Sequence, residues 1–269
     1  MTHAEKLSLL HCALELDRKI VGVKFLFSEE DYLGADAKPL SHRLNYCVMV
    51  KLATGGKALK AVGDNLACLA GARALGLKES DSLHRSGRIG KKLGLYHDMP
   101  TSKQVRDGMS FCDHNAYGIM VKPLDQYGEE PDIIIMVSNP YNVMRVIQGY
   151  SYYFGLRSSF KMTGNQAICS ESTAYPFLSN DINCSMVCIG TRHKAGWTDN
   201  ELSVSFPFNR FAKIADGVLD TVNIMENNRK KKTIEKKMQA AGHGDFAIRY
   251  NHNYYKAGSA QVLPPAGEK

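Results

Sequence analysis

The chain has 269 residues, 44% of them apolar, a net charge of +7 and seven cysteines; that is enough apolar material for one large domain or two small ones and excludes disorder as the default. The opening MTHAEKLSLLHCALELDRK is too polar for a signal peptide, and no stretch approaches the ~18 uncharged apolar residues of a membrane span, so a soluble cytoplasmic protein is expected, with no membrane partner. Cytosolic reductants keep thiols free, which leaves the cysteines as core residues, ligands or nucleophiles instead of a disulfide framework.

In chain order, residues 4–17 place Leu7, Leu10 and Leu14 on one helical stripe, and 20–27 reads as a strand. A connection over 29–43 leads to a helix over 45–52, stopped at Gly55-Gly56, and to a short strand over 58–62. Asp64 is expected to cap a helix over 65–75, closed by Gly76, whose face of Ala67, Ala70, Gly71 and Ala74 permits close packing. Residues 81–113 read as polar helices with Ser82 and Ser102 as caps. They carry the loop HRSGRIGKK, in which Arg85, Arg88, Lys91 and Lys92 alternate with Gly87 and Gly90 and offer an anion cradle. Neither G-x-x-x-x-G-K-[ST] nor G-x-G-x-x-G occurs, which disfavours nucleotide binding, and neither G-x-S-x-G nor H-E-x-x-H supports a hydrolase or a zincin.

Strands are expected over 116–123 and 131–138, the second an apolar run suited to a strand covered on both faces. Asn139 caps the next helix, with Pro140 at its first position. A short strand over 160–162, a helix over 165–175 stopped by Pro176, a strand over 183–189, a strand over 202–206 and an amphipathic helix over 210–222 complete the body. After Glu226 comes a helical basic tail. Residues 227–239 carry six basic side chains against one acid, a solvated face or partner contact rather than a nucleic-acid surface, and Tyr250, Tyr254, Tyr255 and a Pro-Pro end follow.

The fold class is therefore α/β (or α+β): a mixed sheet flanked by helices, one domain over 1–225 and a C-terminal extension over 226–269. Strand, helix, strand and helix occur twice, over about 20–77 and 131–190, aligning Tyr46, Val48 and Met49 with Tyr141, Val143 and Met144, and Cys68 with Cys169. Such a duplication would turn two equivalent helix N-termini, each with a cysteine, toward a shared middle. Small-residue helix faces and a separate tail suggest a homo-oligomer.

Cys68 and Cys169 fall in the first turn of expected helices, where unpaired N–H groups and the helix dipole favour thiolates; the alternative for each is a small buried hydrophobe. Cys184 and Cys188, four apart on one strand face, would be roughly 13 Å apart, so one small metal centre takes at most one of them. Cys112, Asp113 and His114 form a further candidate ligand group, and Cys12 lies in the first helix. The absence of any C-x-x-C pair argues against structural zinc and covalent haem.

The ordered set Asn45-Tyr46-Cys47, Asp64-Asn65-Leu66-Ala67-Cys68 with Ala74-Leu75-Gly76-Leu77, Pro131-Asp132-Ile133-Ile134, Asn139-Pro140, Ala167-Ile168-Cys169-Ser170-Glu171 and Cys188-Ile189-Gly190-Thr191-Arg192 resembles the domain of unknown function family 169 over about residues 5–222. The resemblance implies a soluble prokaryotic α/β domain and singles out Cys47 and Cys188 beside Cys68 and Cys169, without assigning a reaction or deciding whether the protein is an enzyme. Families of this kind are frequent in anaerobes. Together the four thiolates are the set a 4Fe-4S cubane takes, so an iron–sulfur cluster in redox or electron-transfer chemistry, with a redox partner protein, is the leading expectation. Glu171 and Arg192 are the accompanying cofactor-binding candidates, Arg192 through bidentate pairing with an anion. The alternatives are a haem or other tetrapyrrole with a Cys, His or Met axial ligand and propionates on Arg192 or the 85–92 loop, and a non-enzymatic interaction protein that uses the tail.

Overall fold

The computed structural model describes residues 1–113 and 115–254. They form two compact units: a larger one of Arg18–Val143 and Arg157–Phe211, and a smaller one of Met1–Asp17, Met144–Leu156 and the residues from Ala212 on.

Helix α1 (His3–Leu14) opens with a Thr2–Glu5 capping box and ends where Glu15 turns left-handed. Strand β1 (Val21–Leu26) follows. The expected connection contains α2 (Glu29–Gly34), opened by a Ser28–Asp31 capping box, and β2 (Lys38–Pro39). Next come α3 (Tyr46–Thr54) and β3 (Leu59–Val62). The helix expected from residue 65 starts later. Residues 63–65 make a 3₁₀ turn in which the Asn65 side chain accepts the Val62 N–H at 3.2 Å, and Cys68 becomes the N-cap of α4 (Leu69–Ala74).

Helices α5 (Ser82–Arg85), α6 (Arg88–Lys92) and α7 (Met99–Gly108) have Asp81, Gly87 and Asp98 at their N-caps. Ser82 and Ser102 are not caps, because Asp81 and Asp98 stand just outside their helices and accept the third-residue N–H at 2.8 Å. Strands β4 (Gly118–Pro123) and β5 (Ile133–Ser138) lead into α8 (Pro140–Phe154), where Asn139 accepts the Asn142 N–H at 2.9 Å.

No strand forms over 160–162. The Asn183 side chain bonds both the N–H and the carbonyl of Lys161 at 2.9 Å, satisfying the groups a neighbouring strand would have paired. Residues Ala167–Ala174 are a π-helix that runs directly into α9 (Tyr175–Ser179), so Pro176 sits in a first turn and does not stop the helix. Strand β6 is only Asn183–Ser185: Val187 adopts φ 53°, which ends extension, and Cys188 caps α10 (Ile189–Ala195). Strand β7 (Leu202–Pro207) and helices α11 (Phe211–Asp220), α12 (Val222–Met225) and α13 (Asn228–Ala240) complete the described chain.

The larger unit holds a seven-stranded mixed sheet in the order β2-β3-β4-β1-β5-β7-β6, parallel only between β2 and β3. Outward from the central antiparallel pair β1 and β5, the order is β4 then β3 on one side and β7 then β6 on the other. Each half runs strand, helix, strand, helix, strand: β1, α3, β3, α4, β4 and β5, π-helix, β6, α10, β7. The inserted segments differ: α2 and β2 with α5, α6 and α7 in one half, α8 and α9 in the other. The halves are related by a pseudo-twofold axis near Gly22 and Ile134, which face each other across β1 and β5. Packing obeys it, since α3 lies against α10 while the π-helix lies against α4. By this order of elements Cys68 corresponds to Cys188 and Cys47 to Cys169.

One sheet face, built from Val21, Val23, Phe25, Ile119, Val121, Ile133 and Ile135, packs against Met49, Val50 and Ala53 of α3, Ala72 of α4, and Ala167 and Ile168 of the π-helix. Burying these apolar faces together sets the helix N-termini side by side. In the smaller unit, α1 packs on α13, and Gly149 of α8 touches Gly217 of α11 so closely that a Cβ on Gly217 would overlap the Gly149 carbonyl. Residues 226–254, expected as an extension, belong to this unit. Lys231 is fully buried there and donates to the carbonyls of Asn223, Arg249 and His252. Tyr255 and the Pro-Pro end lie outside the described residues.

Candidate functional site

The larger unit contains a cavity of about 390 Å³ that Cys47, Cys68, Cys169 and Cys188 all line. Four different elements deliver them. Cys47 follows the N-cap Asn45 in the first turn of α3, Cys169 stands in the first turn of the π-helix, and Cys68 and Cys188 are themselves the N-caps of α4 and α10. Gly71 and Gly190 sit against them at ordinary van der Waals range: a Cβ on Gly71 would lie 3.8 Å from Cys169 Cβ and from Cys68 Sγ, and one on Gly190 3.9 Å from Cys188 Sγ. Cys188 Sγ accepts the Thr191 N–H at 3.4 Å and meets the Thr191 hydroxyl at 3.0 Å. Cys68 is exposed; the other three are half-buried.

The thiols sense one another. Burial pushes the Cys47 thiol up to about 11; hydrogen bonding from Thr191 opposes the rise, and the charges of Cys188 and Cys68 add to it. Cys169 lies well above the ordinary thiol value, from burial first and then from Cys68, Cys188 and Cys47. Thiols raised in this way, Cys47 and Cys169, stay protonated alone and ionise when a cationic centre enters. Among the described residues no three Cys, His, Asp or Glu side chains gather closely enough to enclose a single ion.

The other cysteines lie elsewhere. Cys184, on β6, is not among the residues lining the cavity, and burial pushes its thiol up to about 12. It no longer shares a strand with Cys188. Cys12 is buried in α1. Cys112 is buried with its thiol pushed up to about 12 by burial and then by Asp113, and His114 lies outside the described residues.

Neither Glu171 nor Arg192 lines the cavity. Glu171 is 4% exposed, and its carboxylate accepts from the Thr163 and Gly164 N–H groups and the Ser185 hydroxyl, tying a loop to β6. The Arg192 guanidinium donates to the carbonyls of Met186, Thr198 and Glu201, closing the turn around α10. Both side chains spend their hydrogen-bonding capacity on architecture. Of the basic loop, Arg88, Lys91 and Lys92 stay off the cavity, and Lys91 donates to the His97 carbonyl at 2.7 Å. What the loop does contribute is His84 together with glycine and apolar surface. Gly87 and Gly90 bring α6 onto α7, since a Cβ on Gly90 would meet Ser102 Oγ at 2.7 Å, and Ile89, Leu93, Leu95 and Tyr96 line the cavity as well.

Sequence reasoning missed Arg106, Tyr96 and Thr191 as lining residues. Only Thr191 carries a local signal, because it stands three residues after Cys188, where a capped helix presents its N–H to the cap.

The family DUF169, described as an uncharacterised ArCR, matches residues 9–217. Uncharacterized protein MJ0308 of Methanocaldococcus jannaschii is 27% identical over 205 residues, covering 76% of this chain and 88% of that protein. No solved structure matches. Among the described residues no helix is long and apolar enough to cross a membrane.

Proposed function

The chain belongs to the DUF169 family, and we propose that it is an iron–sulfur protein in which Cys47, Cys68, Cys169 and Cys188 hold a cubane cluster for redox or electron-transfer chemistry. The observation that carries this reading is that four cysteines remote in sequence line one cavity as two pairs related by the pseudo-twofold axis. A cubane has twofold axes through its faces that exchange its four iron corners in pairs, so two such pairs of thiolates match them. Four sulfurs that line one cavity without three of them gathering around one point suit an extended cluster better than a single ion, which draws its ligands into mutual contact.

When bound, such a cluster stores and releases single electrons. The chain's own groups would set its properties. The helix ends beneath Cys68 and Cys188 and the Thr191 hydrogen bonds favour the more negative reduced state, while the apolar wall disfavours added charge. Cys68, the exposed member, marks the edge nearest a redox partner protein. The haem alternative gains nothing from Arg192, whose guanidinium is occupied.

The test compares variants after anaerobic reconstitution with iron and sulfide. Cys68→Ala and Cys188→Ala are expected to lose iron and visible absorption, while Cys184→Ala keeps both. Equal iron in all three variants would refute the assignment.

A further inference from the structure

Beside the thiols the cavity has an apolar lining, with Ile89, Leu93, Leu95 and Met109, of which thiol ligation of a cluster makes no use. At its border stands Arg106, which also lines a neighbouring polar cavity of about 460 Å³.

Among the cations around Arg106, Arg73 pairs with Asp81 at 3.5 Å, Lys78 with Asp64 and Lys103 with Asp107, while Arg85, which lines the same polar cavity, has no ion pair among the described residues. No ion pair or hydrogen bond of the Arg106 guanidinium is found among the described residues; it lies half-buried over the Phe111 ring at 3.6 Å. Burial, then Arg73 and Arg85, push its pKa down, with Asp107 and Asp81 opposing less strongly. A guanidinium fixed against a ring, without a counter-ion and beside an apolar wall, is preorganised for the planar fork of a carboxylate.

We propose that the cavity is a substrate site for an organic acid with an apolar body, its carboxylate on Arg106 and its body against Ile89, Leu93 and Leu95. The inference deepens the iron–sulfur reading by placing a substrate beside the redox centre, but the binding itself rests on Arg106 and the apolar wall.

Calorimetry on the full chain, once with reconstituted cluster and once iron-free with reduced thiols, tests it with octanoate, octyl phosphate and octanol. Octanoate is expected to bind in at least one form, with octanol at least about tenfold weaker. Arg106→Gln should weaken octanoate by roughly 10- to 100-fold, as losing one charge-assisted pair does, and leave octanol unchanged. Arg106→Lys should fall between, with unfolding midpoints confirming that both variants fold. Octanol binding as tightly as octanoate, an unaltered Arg106→Gln, or no binding in either form would overturn the proposal, and tighter octyl phosphate would overturn the carboxylate head group. Iron content is read separately, so loss of the cluster with octanoate binding intact would count against the cluster alone.

Discussion

Thr191 illustrates how one side chain outside the thiol set governs it. Its N–H and hydroxyl both approach Cys188, and it opposes the rise of the Cys47 thiol. Thr191→Val keeps the shape and the backbone bond but removes the hydroxyl. The expected cost is about 1 kcal/mol in urea unfolding of the iron-free protein, with a lower cluster potential in redox titration. No change in either quantity would mean the hydroxyl is idle. The Cys47 thiol also dictates a pH dependence. Its folded value, about 11, lies above the ordinary 9.0. The unfolded chain therefore ionises first, so iron-free stability is intact below about pH 9 and falls as pH rises from there through 11. Unfolding curves for wild type and Cys47→Ala should diverge below that window and converge above it. At this scale the four cysteines singled out from the sequence line one cavity, whereas the two charged groups singled out with them do not. Glu171 and Arg192 looked available because nothing local announces that Ser185, Thr163 and the carbonyl of Met186 consume them.

At the scale of elements, departures from the periodic pattern trace to side chains acting at a distance. Asn183 replaces a strand neighbour at Lys161, and Asp98 outcompetes Ser102 as a cap. Lys60 is a further instance. Its ammonium donates to the carbonyls of Tyr32, Leu33 and Ala35 at 2.6, 3.2 and 2.9 Å, capping the end of α2 with a cation. Neither the α2 segment nor this cap is visible as hydrophobic periodicity, because α2 buries none of its residues. Helix contacts give a sharp contrast between two glycines, Gly217 in the smaller unit and Gly108 in the larger. Gly217→Ala must separate α11 from α8 and is expected to cost about 3 kcal/mol in chemical denaturation. Gly108→Ala, at the end of α7 with open space around its Cβ position, should be neutral or stabilising by about 0.5 kcal/mol. Equal effects at the two sites would contradict the close packing described.

For the whole molecule, a recurring order of strand, helix, strand and helix was legible, but the correspondence of its elements was not. Short identities aligned Cys68 with Cys169, whereas strand order and helix packing pair Cys68 with Cys188 and Cys47 with Cys169. Local identity is weak evidence when inserted segments differ, and sheet pairing, which decides the matter, is non-local. The repetition explains why the thiols converge: each half ends a strand in a cysteine-capped helix, and the axis brings the two ends to one cavity. The measurement that bears most directly on this account is iron and acid-labile sulfide, with an absorption spectrum, on wild-type protein isolated without oxygen. Equimolar iron and sulfide with broad charge-transfer absorption, bleached on reduction, is the predicted result. A colourless protein that stays free of iron after reconstitution would contradict it.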